Sequence, residues 1–265
     1  MDTTKQLPTV LSICTGYGGI ERGLTLAGFE HRTVAVLEIE AYAIANLLAK
    51  METGQMVPAP LWTDLKTLPV DCFRNRIDLL TGGYPCQGFS NSGLRKGSED
   101  PRYLWGYIRR HIESIRPIQC FFENVEGHIS LGLREVIKDL ESLGYKTKWG
   151  IFSASECGAP HQRKRVFILA DSKSKRVQGR GATQQQEPQS HAGKKISQRH
   201  SAACRANNWI TEPNVGRVAN GSAFRVDRLR LLGNGVVPQQ AAKAWIILNE
   251  QMDSKGTTEH SKTHG

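Results

Sequence analysis

A single cysteine follows a predicted strand in a setting that suits a reactive thiol. The stretch IDLLTGGYPCQGFS, residues 77–90, passes from apolar residues through Gly82 and Gly83 to Pro85 and Cys86. The glycines remove side-chain bulk, proline stiffens the backbone, and ligands of parallel sheets bind at the carboxyl ends of the strands. A small buried cysteine is the alternative, since most lone cysteines are of that kind. We interpret Cys86 as a nucleophile.

Charged residues at two further positions could assist such a nucleophile. Glu123 follows two aromatic residues in FFENV, so burial should raise its pKa and suit it to donate a proton. An ordinary capping acid is the alternative. In HQRKRVF, Arg163 and Arg165 are two residues apart, and we expect them on one side of a strand. Paired guanidinium groups there can grip a phosphate or a base edge, whereas a solvated strand edge is the other interpretation.

A glycine turn followed by an acid indicates a nucleoside site. The stretch TGYGG places Gly16, Gly18 and Gly19 between a predicted strand and helix, where backbone N–H groups can approach a ligand. Glu38 ends the next predicted strand, where an acid commonly holds ribose hydroxyls. A simple tight turn is the alternative. The glycines do not match G-x-G-x-x-G, which favours a nucleoside without a pyrophosphate.

Alternating strands and helices are expected to position these residues. Apolar runs and helical periodicities follow one another along the chain, which predicts an α/β fold with a doubly wound, mostly parallel sheet. The predicted strands are PTVLSIC, RTVAVLEI, RIDLLTGG, PIQCFFENV, YKTKWGIFSAS and KRVFILA. The predicted helices are GGIERGLTLAG, EAYAIANLLAK, a segment that ends near Arg116, SLGLREVIKDLESLG and PQQAAKAWIILNEQ.

The composition changes after residue 170. Residues 171–208 contain no aromatic residue and only Val177 and Ile196 as large aliphatic residues, with eight Lys and Arg against two acids. Such a stretch cannot bury enough surface to order itself; it is either a solvated loop or a nucleic-acid contact. We therefore predict a catalytic domain over 1–170, a small, basic, partly disordered recognition region over 171–229, a C-terminal helix over 230–254 that completes the catalytic domain, and a disordered tail over 255–265.

Overall composition narrows the class of protein. The formal net charge is +10, which favours a phosphate-rich partner. Six cysteines include no C-x-x-C pair, so free thiols in a reducing compartment are expected rather than structural zinc or disulfides. No apolar run approaches the ~18 residues of a membrane span, and the first residues lack a signal-peptide pattern. A cytoplasmic location without membrane or metal is expected.

The motifs together resemble the DNA cytosine-5 methyltransferase family. In family order stand CTGYGGIERGL, Glu38, Asp64 in WTDL, GGYPCQGFS, ENV, QRKR and RLRLLGNGVVP. The resemblance covers about Val10 to Asn249 apart from the insertion, and the compact layout is similar to phage-encoded and prophage-like members. Cys14 stands where the family often has Phe, and Gly235 replaces the usual Ala or Ser. The resemblance implies a Rossmann-like, class I S-adenosylmethionine-dependent fold with a small target-recognition insertion.

The resemblance also implies a mechanism. Cytosine is flipped out of double-stranded DNA, Cys86 attacks its carbon 6, and carbon 5 takes a methyl group from S-adenosylmethionine. Glu123 would hydrogen-bond or protonate ring nitrogen 3. Arg165 would hold the base oxygen, and Arg163 would support a phosphate or the loop. A tRNA cytosine-5 methyltransferase and a non-catalytic DNA-binding relative are the alternatives.

Further site residues and partners are carried over from the resemblance. The glycine turn would bound the amino-acid end of the cofactor, Glu38 its ribose and Asp64 its adenine amine. A monomer is expected, with a cognate restriction enzyme as a candidate partner and host modification or phage self-protection as possible roles. The cofactor set is Gly16, Tyr17, Gly18, Gly19, Glu38, Ile39, Asp64, Leu65, Pro85 and Asn234; the DNA set is Gln87, Ser90, Arg95, Arg225 and Arg228.

Overall fold

A twisted sheet of seven strands organises the part of the chain that the structure describes. The computed structural model describes residues 6–85, 104–172, 233 and 235–254. The strand order is β3-β2-β1-β4-β5-β7-β6; neighbours are parallel from β3 to β5, and β7 is antiparallel to both β5 and β6. The predicted doubly wound, mostly parallel sheet is confirmed. The strands are β1 Thr9–Ile13, β2 Arg32–Leu37, β3 Leu61–Trp62, β4 Leu79–Gly82, β5 Gln119–Val125, β6 Lys146–Ser153 and β7 Lys164–Asp171.

Helices cover both faces of this sheet. The predicted helix SLGLREVIKDLESLG is wrong at its start, because the chain forms two helices that are separated at Gly132. Gly132 has an extended φ of −162°, which interrupts the helical backbone. The short strand β3 was not predicted. The helices are α1 Gly19–Leu26, α2 Ala41–Glu52, α3 Leu104–Ile115, α4 His128–Leu131, α5 Leu133–Ser142 and α6 Pro238–Asp253.

Two apolar cores lie on opposite faces of the sheet, because successive strand residues point to opposite sides. On one face, Leu11 and Ile13 of β1 pack with apolar residues of α3 and α5, among them Trp105 and Val136. On the other face, the neighbouring Val10 packs with residues of α1 and α6. Most of these side chains are less than 2% exposed. The sheet is therefore held between two packed layers.

The C-terminal helix α6 packs closely on α1 although more than 200 residues separate them in the sequence. A Cβ atom at Gly23 would lie 2.7 Å from the Cβ atom of Ala241 and 2.7 Å from the carbonyl oxygen of Pro238. Gly19 approaches the carbonyl of Val236 even more closely. The glycines of α1 thus allow the C-terminal segment to reach the first glycine turn. In the described ranges, the structure contains no helix with the length and apolar character needed to cross a membrane.

Candidate active site

The ends of β1, β2, β4 and β5 bring the candidate residues to one edge of the sheet. Parallel strands end at a common edge, and the crossover direction changes between β1 and β4, which is where ligands of such sheets bind. Gly16, Glu38 and Pro85 follow their strands, and Glu123 lies two residues before the end of β5. Seven of the candidates lie outside the described residues: Cys86, Gln87, Ser90, Arg95, Arg225, Arg228 and Asn234.

Glu123 and Arg165 form a buried ion pair at this edge. Arg165 is the second residue of β7 and lies opposite Val125. It is two residues from Phe167, the partner of Glu123, so the side chains of Arg165 and Glu123 lie on the same face of the sheet. The Nε atom of Arg165 lies 2.9 Å from Oε1 of Glu123, and the two side chains are 15% and 7% exposed. Burial raises the pKa of Glu123 to about 7, while Arg165 and Arg163 oppose that rise. The predicted increase in this pKa is confirmed, and both protonation states are populated near neutral pH.

The second carboxylate oxygen of Glu123 faces the segment that leads to Cys86. A Cβ atom at Gly83 would lie 3.3 Å from Oε2 of Glu123 and 3.8 Å from a methyl group of Val236. Gly83 therefore lets the backbone pass beside the carboxyl group. Glu123 on β5 therefore lies close to Gly83, which directly follows β4 and precedes Cys86 by three residues.

Arg163 does not occupy the strand position that the sequence predicted. Strand β7 begins at Lys164, and Arg163 precedes it with a left-handed φ of 29°. Because this turn breaks the strand alternation, the prediction that both arginines lie on one side of a strand is wrong. The Nη2 atom of Arg163 donates to the carbonyl of Gly233 at 2.7 Å and also to that of Gly235. The sequence analysis gave Arg163 two alternative roles, which were to support a phosphate or to support the loop. The contacts of Arg163 with Gly233 and Gly235 agree with support of the loop.

Glu38 connects the glycine turn with the end of β2 through hydrogen bonds. Its carboxylate accepts hydrogen bonds from the backbone N–H groups of Gly16 at 2.7 Å, Ile39 at 2.8 Å and Glu40 at 2.9 Å. A carboxylate offers about four acceptor positions, so one remains for a ligand hydroxyl. The side chain is 8% exposed. These contacts are compatible with a ribose at this carboxylate.

Apolar and polar groups beside Glu38 fit the remainder of a nucleoside. The side chain of Ile39 is 70% exposed, which leaves an apolar surface beside the acid. Asp64 accepts a hydrogen bond from the backbone N–H of Lys66 at 2.9 Å, which begins a short helical turn. Leu65 is buried, and its carbonyl lies 2.7 Å from Nε2 of His111. The acceptor oxygens of Glu38 and Asp64 and the exposed apolar surface of Ile39 are compatible with S-adenosylmethionine.

Tyr17 and Gly19, which the resemblance assigns to the cofactor, also lie against Val236 of the C-terminal segment. The Tyr17 hydroxyl donates to the carbonyl of Val236, and burial raises its pKa to about 12. Lys50 on α2 donates to the Tyr17 carbonyl at 2.6 Å and lies 5.0 Å from the centre of its ring. No local sequence signal joins Tyr17 to Val236, because the two residues are 219 positions apart.

Three residues near the site were missed by the sequence analysis. Asn124 donates to the carbonyl of Tyr84 at 3.0 Å, and the Tyr84 hydroxyl lies 3.0 Å from Nε2 of His128. The position of Tyr84 directly before Pro85 and Cys86 was the signal that could have identified it. In the described portion of the chain, no group of three His, Cys, Asp or Glu residues is arranged to hold a metal.

The chain is similar to known methyltransferases. It is 32% identical over 169 residues to the Type II methyltransferase M.NaeI of Lentzea aerocolonigenes, with 61% of this chain and 39% of that one aligned. It is 31% identical over 166 residues to M.NgoMIV of Neisseria gonorrhoeae, with 61% and 51% aligned. The chain thus spans about half or less of the length of these curated relatives.

Solved structures share the fold. The S. pombe Dnmt2 methyltransferase has a TM-score of 0.60 and 18% identity, with 93% of this chain and 99% of that chain covered. A mutant of Spodoptera frugiperda DNMT2 has a TM-score of 0.53 and 20% identity, with 66% and 54% covered. These proteins support the Rossmann-like fold class.

A family model connects the sequence motifs with this site. The model described as C-5 cytosine-specific DNA methylase matches residues 9–243, from the first strand into the C-terminal helix. The match includes both Glu123 and the Pro85–Cys86 stretch. The chain therefore belongs to the C-5 cytosine-specific DNA methylase family.

Proposed function

We propose that this protein transfers a methyl group from S-adenosylmethionine to carbon 5 of cytosine in double-stranded DNA. The observation that carries the proposal is the buried Glu123, whose pKa is raised to about 7 and whose carboxyl group lies beside Gly83 on the segment leading to Cys86. A carboxylic acid that is protonated near neutral pH can donate to a ring nitrogen. Membership of the cytosine-5 family supports the same chemistry.

Four side chains would share the reaction on a base flipped out of the duplex. The Cys86 thiolate forms a bond to carbon 6, and protonated Glu123 donates to ring nitrogen 3, so negative charge does not build on the base. Carbon 5 becomes nucleophilic and is methylated. A base then removes the carbon-5 proton, the carbon–sulfur bond breaks and the thiolate leaves. Arg165 holds the base oxygen, and Arg163 supports the segment around Gly233.

The cofactor would bind between the glycine turn and the ends of β2 and β3. S-adenosylmethionine supplies an electrophilic methyl group when bound. Glu38 accepts hydrogen bonds from the ribose hydroxyls, and Asp64 accepts from the adenine amine. The glycine turn of Gly16, Tyr17, Gly18 and Gly19 bounds the amino-acid end. Ile39, Leu65, Pro85 and Asn234 complete the proposed pocket. The exposed Ile39 side chain beside the buried Glu38 supports this placement.

DNA recognition is assigned to residues beyond the described core. We divide the chain into a catalytic part over 1–170, a recognition region over 171–229 and a C-terminal helix over 230–254. The packing of α6 on α1 supports the assignment of the C-terminal helix to the catalytic part. The proposed DNA contacts are Gln87, Ser90, Arg95, Arg225 and Arg228. The Type II names of the relatives favour a restriction–modification role. We also propose a cognate restriction enzyme as partner, a cytoplasmic location and a monomeric protein.

Covalent trapping tests the proposed reaction. Duplex DNA that contains 5-fluorocytosine lacks the removable carbon-5 proton, so the wild-type protein with S-adenosylmethionine should form a stable adduct. Cys86→Ala should form none, because it lacks the sulfur that attacks carbon 6. Cys72→Ala removes an exposed free thiol elsewhere and is the matched control. Normal methyl transfer by Cys86→Ala would contradict the proposal.

Substrate comparison separates the proposal from its alternatives. Purified protein should methylate duplex DNA and leave tRNA unmodified, and bisulfite sequencing of DNA from expressing cells should reveal the modified cytosines. Methylation of tRNA alone would favour a tRNA cytosine-5 methyltransferase. DNA binding without methylation of either substrate would favour a non-catalytic relative.

A further inference from the structure

Tyr84 is held by hydrogen bonds at both its hydroxyl and its carbonyl. It stands two residues before the nucleophile, is 2% exposed, and directly precedes Pro85, which restricts the backbone. Its hydroxyl lies 3.0 Å from Nε2 of His128 at the start of α4. Its carbonyl accepts a hydrogen bond from Nδ2 of Asn124 at 3.0 Å. Both ends of this residue are therefore bonded to the chain that follows Glu123.

Aromatic rings enclose Tyr84 on three sides. Ring centres lie 5.4 Å from Trp105, 5.8 Å from Phe122 and 5.6 Å from His128, within the range of favourable aromatic pairs. Trp105 is itself fixed, since its Nε1 atom donates to Asp139 at 2.8 Å. The ring of Tyr84 consequently has little room to move. The hydrogen bond between its hydroxyl and His128 is a polar contact among these aromatic side chains.

His128 is suited to hold the hydroxyl of Tyr84. The imidazole is completely buried, and burial lowers its pKa to about 4. It is thus neutral at physiological pH, and a neutral imidazole has one donor and one acceptor nitrogen. Nε2 can therefore accept the proton of the Tyr84 hydroxyl. Phe122 and Asn124 flank Glu123 on β5, so the contacts of Tyr84 connect the nucleophile segment with the acid.

We propose that Tyr84 and His128 are positioning residues whose hydrogen bond sets the distance between the Cys86 sulfur and the cytosine held at Glu123. The inference rests on the proposed methyl transfer and deepens it. Attack on carbon 6 requires a well-aligned thiolate, and a displacement of about 1 Å can slow such a step about a hundred-fold. The pair acts through the backbone of Tyr84 and Pro85 and does not touch the base.

Three variants test the positioning role: Tyr84→Phe, His128→Leu and the double variant. Each should slow formation of the 5-fluorocytosine adduct about ten- to a hundred-fold in single-turnover reactions. The dissociation constant for S-adenosylmethionine, measured by calorimetry, should change much less than the adduct rate, because among the proposed cofactor residues only Pro85 adjoins Tyr84 in the sequence. The double variant should recover thermal stability, since neither partner is left unpaired, but should remain slow.

Tyr145→Phe is the matched control. Its buried hydroxyl donates to the carbonyl of Pro117 at 2.7 Å, far along the chain from Cys86, so the same atom is removed from a similar environment. This variant should lose stability but retain the wild-type adduct rate. Equal slowing by Tyr145→Phe, or recovery of the rate by the double variant, would reduce the Tyr84–His128 bond to a structural contact and overturn the inference.

The wild-type reaction distinguishes the two proposals. If the wild type forms no adduct, the methyl-transfer proposal fails and the positioning inference falls with it. If the wild type reacts and Tyr84→Phe reacts at the same rate, the positioning inference alone is wrong. Adduct formation that is slow only in the variants of this pair supports both.

Discussion

At the scale of residues, Glu123 is the group on which burial and charge compete. The residue is 5% exposed, and burial alone would raise the pKa of its carboxyl group beyond about 7. Arg165 opposes this rise from 2.9 Å, and Arg163 adds to that opposition. The balance keeps the acid able to donate near neutral pH without fixing it in one state. Two arginines with different contacts therefore tune one carboxyl group.

Replacement of Arg165 by Gln should move the pH dependence of methyl transfer. Arg165 lowers the pKa of Glu123, so its removal raises that pKa above about 7. Because the reaction needs protonated Glu123, the rate should begin to fall at a higher pH than in the wild type. The whole profile should also be lower, since the base oxygen loses its donor. Single-turnover rates measured as a function of pH show the pH at which the rate begins to fall.

Arg110→Gln is the control for this experiment. It removes one positive charge from α3, where Arg110 lies over the ring of Tyr107 at 4.4 Å. Its profile should match that of the wild type. If the rate of Arg165→Gln begins to fall at the same pH as that of the wild type, Glu123 is not the titrating donor.

At the scale of elements, the contact between α1 and α6 holds the site together. The C-terminal segment supplies the carbonyls that Tyr17 and Arg163 bind, and it reaches them because α6 packs on glycines of α1. Gln240 on α6 donates to Phe152 at 2.6 Å and to the Arg163 carbonyl at 2.8 Å. The helix thus joins the first glycine turn to the turn before β7. Loss of this contact should affect stability and site geometry together.

Gly23→Ala should destabilise the protein. The added methyl group would lie 2.7 Å from both the Ala241 side chain and the Pro238 carbonyl, so α1 and α6 must separate. Overpacking of this kind typically costs about 1–3 kcal/mol. The free energy of unfolding in urea measures the effect. Gly127→Ala is the control, because no heavy atom lies within 4 Å of its added methyl group; an equal loss in both variants would contradict the packing argument.

At the scale of the whole molecule, positive charge is concentrated outside the described core. Residues 171–208 carry eight Lys and Arg and two acids, which gives 8 − 2 = +6 of the chain's net +10. Such a stretch favours contacts with phosphates, which supply affinity without sequence information. Arg225 and Arg228 follow in a segment with Trp209 and Phe224, which suits base recognition better. Affinity and sequence selection are therefore predicted to reside in different parts of residues 171–229.

Deletion of residues 175–203 should weaken DNA binding and reduce its dependence on salt. Each lost phosphate contact lowers the slope of log affinity against log salt by about 0.9. The methylated sequence should stay the same, whereas neutralisation of Arg225 and Arg228 should change which cytosines are modified. A variant of full length with Ser at the Lys and Arg positions of 175–203 controls for chain length. A changed target sequence with an unchanged salt slope would contradict this division.

Much of the fold was predictable because its signals are local. Apolar runs and helical periodicity depend on neighbouring residues, and they identified six of the seven strands of the described sheet. The two-residue strand β3 is too short to produce such a pattern, and Gly132 alone did not mark the break between α4 and α5. The raised pKa of Glu123 was also predictable, because two aromatic residues precede it at a strand end.

The sequence by itself determined the order of the elements and the chemical groups at the ends of parallel strands, since those ends must share one edge of the sheet. Only the tertiary structure decided which groups meet across long separations. Tyr17 binds Val236, Arg163 binds Gly233, and Tyr84 binds His128, at separations of 219, 70 and 44 residues. Local periodicity determines the face on which a side chain lies, whereas its partner depends on how the layers pack. The same packing determines how strongly Arg165 offsets the burial of Glu123.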